Sequence, residues 1–393
     1  MAPFAEHNAE QRRVWDAFHV GRPIRVPVLI GCNPRVMLLD ERLNPGGVTF
    51  EQYTTDPETM LRVQLEFQHW VRHNLRFDQE MGIPADGWTV TVDFQNVYEA
   101  AWLGAPVRFP RDNCPYAMPL LDDDRRNLLF DRGIPDPFDD GGWMRRNWEF
   151  FDFFRARQAA GFEFHGRPIR EILPSALGTD GPFTLAVELR GQDACLDLAL
   201  DPDYLHRLLD FLTEAAITRM RAYRDRLGLP PRSRDFGYAD DSIALISTSD
   251  LREHVLPYHR RIVDTFWTGE GELLVHLCGD ASRHFVTLRE ELGVTAFDTG
   301  FPIDLHEMRR QLGPDVLLQG GVSVPRLREG PIRAIINETR AILDGPAPRG
   351  RFILRDANNL APGTPPEHIA AMYDTARQVS SAGRQPAAKA TSS

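Results

Sequence analysis

Glu272-Leu-Leu-Val-His-Leu-Cys-Gly-Asp280 begins as a short apolar run and ends in a histidine, a cysteine and a glycine turn. The run does not alternate apolar with polar residues, which is how a strand covered on both faces of a parallel sheet reads. Residues 281–292 follow with Phe285, Leu288 and Leu292 at helical spacing. The same unit then repeats. Val294-Thr-Ala-Phe297 precedes a helix at 305–312, and Asp315-Val-Leu-Leu-Gln319 precedes one at 331–343 with Ile332, Ile335, Ile336 and Ile342 mostly on one face. Arg351-Phe-Ile-Leu354 precedes a last helix at 366–377. Strand starts near 272, 294, 315 and 351 leave room for helical crossovers, so this half is expected to be a run of βα units.

Upstream, 201–226 reads as a long amphipathic helix with Leu205, Leu208, Leu209, Leu212 and Ala216 inward. Asp235-Phe-Gly-Tyr-Ala239 is expected as a strand ending in Asp240-Asp241, and Ser249 or Asp250 as the cap of a helix reaching about 267. Arg25-Val-Pro-Val-Leu-Ile30 and Trp88-Thr-Val-Thr-Val92 supply earlier strands. The count approaches that of a (β/α)8 barrel, so the expected fold class is α/β, a TIM barrel, with residues 1–379 as one domain. Residues 105–165 are proline-rich, carry the acidic runs Asp122-Asp-Asp124 and Asp139-Asp140, and read as an insertion over one end of the barrel. Residues 380–393 read as a disordered polar tail.

Among 45 basic residues the only lysine is Lys389, in that tail. This excludes a Schiff-base or pyridoxal-phosphate enzyme, a P-loop NTPase and a protein kinase, each of which needs a lysine in its site. A net charge of −11 argues against nucleic acid as a partner, and no apolar run is long enough for a membrane helix. The start lacks the pattern of a signal peptide, and Cys32, Cys114, Cys195 and Cys278 are too scattered for a disulfide framework, so a cytoplasmic protein is expected.

His276 and Cys278 lie two apart at the carboxyl end of a strand and therefore face the same way. Imidazole and thiolate are a common zinc pair, although a packed cysteine beside a core histidine is the commoner reading of such a spacing. Other strand ends supply Asp93, Asp240-Asp241, Asp298, Gln319 and Asp356-Ala-Asn358-Asn359. Each alone suits a turn or helix cap. Placed together at one end of successive strands, they describe a polar, acidic barrel mouth of the kind that carries catalysis.

Several stretches carry a resemblance. They are Arg22-Pro-Ile-Arg-Val-Pro27, Gly181-Pro-Phe-Thr-Leu-Ala186, Asp240-Asp241, Pro257-Tyr258, His276-Leu-Cys278-Gly279, Gln319-Gly-Gly321 and Ala361-Pro-Gly-Thr-Pro-Pro-Glu-His368. Over most of its length the sequence resembles the uroporphyrinogen decarboxylase superfamily, which includes cobalamin-dependent methyltransferases. The resemblance implies a (β/α)8 barrel with a deep mouth. The methyltransferase branch carries His-x-Cys at this strand and binds zinc that activates a thiol acceptor. Its further cysteine ligand is missing here; Asn358 stands nearest that position, and Asp356 is the oxygen ligand expected in its place. The decarboxylase branch implies instead an aspartate after an early strand, matched by Asp93, and an arginine-rich motif of which only Arg35 is present.

The leading expectation is thus a zinc-type methyltransferase with His276, Cys278 and Asp356 on the metal, and with Asn358 and Gln319 toward the substrate. Asp241 and Asp298 would orient the substrate or act as base. A corrinoid would arrive on a separate protein, since Asp304-Leu-His306 is followed by Arg309 where a corrinoid-binding motif needs glycine. A small-molecule substrate and a homodimer complete the expected partners. Decarboxylation through Asp93 is the second expectation, and a catalytically inert barrel serving as a scaffold the third.

Overall fold

The computed structural model describes residues 4–382. Strand β1 (Trp88–Thr91) is followed by a short antiparallel hairpin, β2 (Val107–Arg108) with β3 (Tyr116–Ala117). β4 (Glu163–Phe164) then turns back into β5 (Arg167–Leu173), which pairs in parallel with β1. β6 (Phe236–Ala239), β7 (Leu273–Leu277), β8 (Ala296–Thr299), β9 (Leu317–Val322) and β10 (Phe352–Asp356) form one parallel sheet in the order β10-β9-β8-β7-β6. Val28 bridges in parallel to Leu354 on the free side of β10, which sets the first segment beside the last. With the helices between them, these segments give an α/β arrangement of parallel strands joined by helical crossovers.

Register and alternation decide what fills the lumen. Gly237, Leu274, Ala296 and Leu317 project from β6 to β9 on one face, and the residues two further on are Ala239, His276, Asp298 and Gln319. Gln319 pairs with Ile353, and Gly321 with Arg355. Ala296, Leu317 and Ile353 form a small apolar cluster with Leu29 and Leu274, and Trp15 and Phe18 of helix Ala5–His19 pack onto it. One end of the lumen is therefore apolar and plugged. Moving two residues along each strand brings the polar set to the other end, where parallel barrels keep their chemistry.

Several expectations are adjusted by specific groups. The segment 25–30 makes only the bridge at Val28: Pro23 and Pro27 have no N–H, and the N–H of Val28 goes to Asp78 Oδ2 at 2.7 Å. Ser247 caps the helix expected from Ser249 or Asp250, in a reciprocal pair with Asp250. A π-helical turn at Leu251–Val255 precedes Leu256–Phe266, where Pro257 cannot donate to the preceding turn.

Residues 105–165 are not wholly an insertion. Helix Trp143–Ala159 lies between the parallel strands β1 and β5, and it packs on β5 and on helix Pro57–Asn74. Its buried Trp148, Phe150, Phe151 and Phe154 make it the crossover of a βαβ unit. The last helix, Pro366–Ala382, takes in the first residues of the expected tail; residues 383–393, with Lys389, lie outside the described residues.

Helix Pro202–Leu227 buries Leu205, Leu208, Leu209 and Leu212 completely, each contributing about 1.5–3 kcal/mol. The same helix carries Arg219, fully buried and paired with the equally buried Glu99. Glu99 also accepts from Thr179 Oγ1 and from the N–H of Asp180, so this pair anchors the loop that follows β5. Arg219→Met leaves the Glu99 carboxylate without its counter-charge and is expected to cost about 3–5 kcal/mol in urea denaturation. Arg310→Met, which breaks the exposed pair with Glu307, should cost less than about 1 kcal/mol in the same assay.

Candidate active site

Beyond the apolar layer, five neighbouring side chains come together. His276 and Cys278 share a face of β7, and His276 Nε2 lies 3.1 Å from Cys278 Sγ. Asp298 is the register partner of His276 on β8, and its Oδ2 lies 2.8 Å from His276 Nδ1. The other oxygen of Asp298 meets Arg355 Nη1 at 2.7 Å. Asp241, just beyond β6, accepts the N–H of Cys278 at 2.6 Å. Gly279 has φ +69°, the left-handed conformation that lets the chain turn directly after Cys278.

Asp241, His276 and Cys278 each bring a ligand atom to within 4.8 Å of the others. Carboxylate, imidazole and thiol are all zinc ligands, and three protein ligands leave a fourth position for substrate. The contact of Asp298 with Nδ1 reserves Nε2 for a metal, the arrangement that ligating histidines usually have behind them. The donor set therefore fits zinc. Burial alone would lower the His276 pKa, but hydrogen bonds to Asp298 and Cys278 outweigh it and lift it to about 10.

Asp356 and Asn358, expected at this group, are not brought to it. Arg355 projects toward Asp298, while its neighbour Asp356 turns to the first segment, 3.8 Å from Arg355 Nε. There Asp356 is fully buried, and its Oδ1 accepts the N–H of Gly31 at 2.7 Å. Asn358 adopts φ 134° and turns its carbonyl to Arg355 Nη2 at 2.7 Å. Gln319 is in register with Asp298 on β9, and its main-chain carbonyl also accepts from Thr299 Oγ1. Asp240 separates from Asp241: fully buried, it accepts from Phe183, Thr184 and His259, clasping the start of helix Pro182–Arg190.

Asp93 stands apart, lining a cavity of about 480 Å³ with Cys32, Arg35, Asn96 and Ser175. Its Oδ2 accepts from Tyr53 at 2.8 Å and Gln95 Nε2 at 2.7 Å, and its Oδ1 from the Gln95 N–H at 2.8 Å. Sequence reasoning missed Arg355, Tyr53 and Gln95, none of which sits in a recognisable spacing. It also missed Asp180, whose carboxyl is pushed up to about 8 by burial and by the nearby Glu99 and Asp241 charges.

The family description "Uroporphyrinogen decarboxylase (URO-D)" matches residues 170–379, more than half of the chain, and the chain belongs to that family. A uroporphyrinogen decarboxylase of Gloeobacter violaceus is 26% identical over 205 residues, 50% of this chain and 57% of that protein. A methylated-thiol–coenzyme M methyltransferase of Methanosarcina mazei is 27% identical over 205 residues, 51% of this chain and 52% of that protein. The chain thus spans about half the length of the curated relatives it matches. Among solved structures, a methyltransferase from Methanosarcina mazei shares the fold with a TM-score of 0.65 at 18% identity, covering 94% of this chain and 98% of that one. No helix among the described residues is long and apolar enough to cross a membrane.

Burial raises the Asp356 carboxyl to about 7, against the opposing pull of Arg355 and the Gly31 N–H. A carboxyl whose pKa is higher folded than unfolded favours the fold below its unfolded pKa. That contribution is lost as pH rises through the folded value. Asp356→Asn is therefore expected to gain on the wild type between pH 4 and 7, by on the order of 2 kcal/mol, when urea melts are compared across that range.

Proposed function

We propose that the chain is a methyltransferase of the uroporphyrinogen decarboxylase family in which Asp241, His276 and Cys278 hold a zinc ion that receives a small thiol. The convergence of these three ligand types, with Asp298 behind His276, is the observation that carries the reading. Bound zinc would lower the pKa of a coordinated thiol, so that the acceptor is a thiolate near neutral pH. Asp298 fixes the ring through Nδ1, and Asp241 fixes the Cys278 backbone through its amide. The apolar layer below the site keeps water from approaching through the lumen.

In this reading the methyl group comes from a corrinoid on a separate protein. The near-motif at Asp304 supports that separation, since Asp304 is engaged as a helix cap, accepting from the N–H groups of His306 and Glu307.

The expected result for the purified protein is stoichiometric zinc by elemental analysis. Cys278→Ala and Asp241→Ala should lose it, and Asp356→Ala should keep it. Wild-type protein free of metal after purification without chelators would sink the reading.

A second reading, decarboxylation with Asp93 stabilising a cationic intermediate, is favoured by the placement of Asp93 in the 480 Å³ cavity. Against it, Arg35 is the one arginine among the residues lining that cavity, whereas a tetrapyrrole bearing many carboxylates calls for several bidentate partners. Metal-independent porphyrinogen turnover abolished by Asp93→Asn would establish this reading in place of the first.

A further inference from the structure

Arg355 belongs to the last strand, yet its guanidinium reaches past β9 to an aspartate on β8. Two glycines lie against Arg355, and one of them makes room for the guanidinium. At Gly321, its register partner on β9, a Cβ would collide with the Arg355 main-chain carbonyl and with Leu354, so this position lets β9 and β10 approach closely. Gly31, in the first segment, sits so close that a Cβ there would collide with Arg355 Nη2 and with the Asn358 carbonyl. The side chain is only 12% exposed. Nη1 forms an ion pair with Asp298 Oδ1 and Nη2 donates to the Asn358 carbonyl, each at 2.7 Å. Asp298 Oδ2 is spent in turn on His276 Nδ1, and His276 Nε2 faces Cys278 Sγ. One continuous line of polar contacts thus runs from the loop after the last strand to the ligand group.

We infer that Arg355 is a positioning residue of the metal site, acting through Asp298 to fix the His276 ring, and that Gly31 is bare so that the guanidinium can lie there. The inference rests on the zinc reading above. Asp298 has side-chain torsions of its own, and one hydrogen bond from a histidine does not hold a carboxylate in plane. The second contact, an ion pair with a guanidinium itself pinned at Asn358, restricts that freedom. It also supplies a positive charge beside two carboxylates and a thiol, which without it would add to the negative charge of the mouth. Arg355 touches none of the three ligands and has no part in bond making. Its effect is to have the imidazole lone pair already aimed when a metal arrives, and outer-shell partners of this kind change metal affinity by about 10–100-fold.

The experiment measures zinc affinity by chelator competition for the full chain, together with the absorption of the cobalt(II)-loaded protein and its thermal melt. Arg355→Met is expected to bind zinc about 10–100-fold more weakly and to alter the thiolate-to-cobalt band, with the protein still folded at the assay temperature. Arg355→Lys keeps the charge but cannot span Asp298 and Asn358 together, so it should recover only part of the affinity. Gly31→Ala leaves every polar group in place and displaces the guanidinium, and should reproduce the Arg355→Met spectrum. Should Gly31→Ala not fold, the Met and Lys pair carries the comparison.

A purely structural arginine would lower the melt and leave affinity and spectrum unchanged. Wild-type affinity and an unaltered cobalt band in folded Arg355→Met overturn the inference while leaving the zinc reading standing. A wild-type protein that binds no zinc removes both.

Discussion

The period of two along a β-strand is the constraint on which the rest of this molecule depends. Once β6 to β10 are in parallel register, each lumen-facing residue fixes the residue two positions along as lumen-facing too. Leu274, Ala296, Leu317 and Ile353 fill the plugged end; His276, Asp298, Gln319 and Arg355 follow automatically. Cys278 and Asp241 follow just past the ends of β7 and β6, joined by the Cys278 N–H to Asp241 Oδ1. A one-residue slip in any pairing would push a charged residue into the helical layer and an aliphatic one into the site, so the core and the chemistry enforce the same register.

The polar end costs the fold free energy, and the hydrogen bonding is organised to limit that cost. Burying carboxylates requires partners, and three of them have a specific one: Glu99 has Arg219, Asp240 has His259, and Asp298 has both His276 and Arg355. Asp180 and Asp356 each keep a buried oxygen without a partner, and both carboxyls are raised toward neutrality. Lacking lysine in all but its tail, the chain meets these demands with guanidinium groups. Their fork geometry lets Arg355 serve two acceptors and Arg309 four main-chain carbonyls.

Much of this was legible beforehand because it depends on local pattern. The βα units from 272 onward, the shared face of His276 and Cys278, and the long leucine helix follow from periodicity alone. What was not legible depends on partners distant in sequence. Asp356 reads as a strand-end ligand until β10 is in place and parity sends Arg355 into the lumen in its stead. Asp241 reads as a general base, and only its contact with the Cys278 amide sets it beside the thiol. The aromatic stretch at 143–159 reads as part of an excursion because its role as a crossover is defined by the pairing of β1 with β5, on either side of it.

The join between the first and last segments holds a further consequence. It is closed by Leu29 to Leu354, Leu354 to Pro27, Gly31 to Asp356 and Leu360 to Gly31, rather than by a full ladder. In amide hydrogen exchange this stretch of wall would open before the five-stranded sheet does, since fewer bonds must break together. Arg355 lies against Gly31 at this join, so each such opening frees the guanidinium while β7 and β8 stay intact. Local breathing of the barrel and the rigidity of the site would then share one hinge.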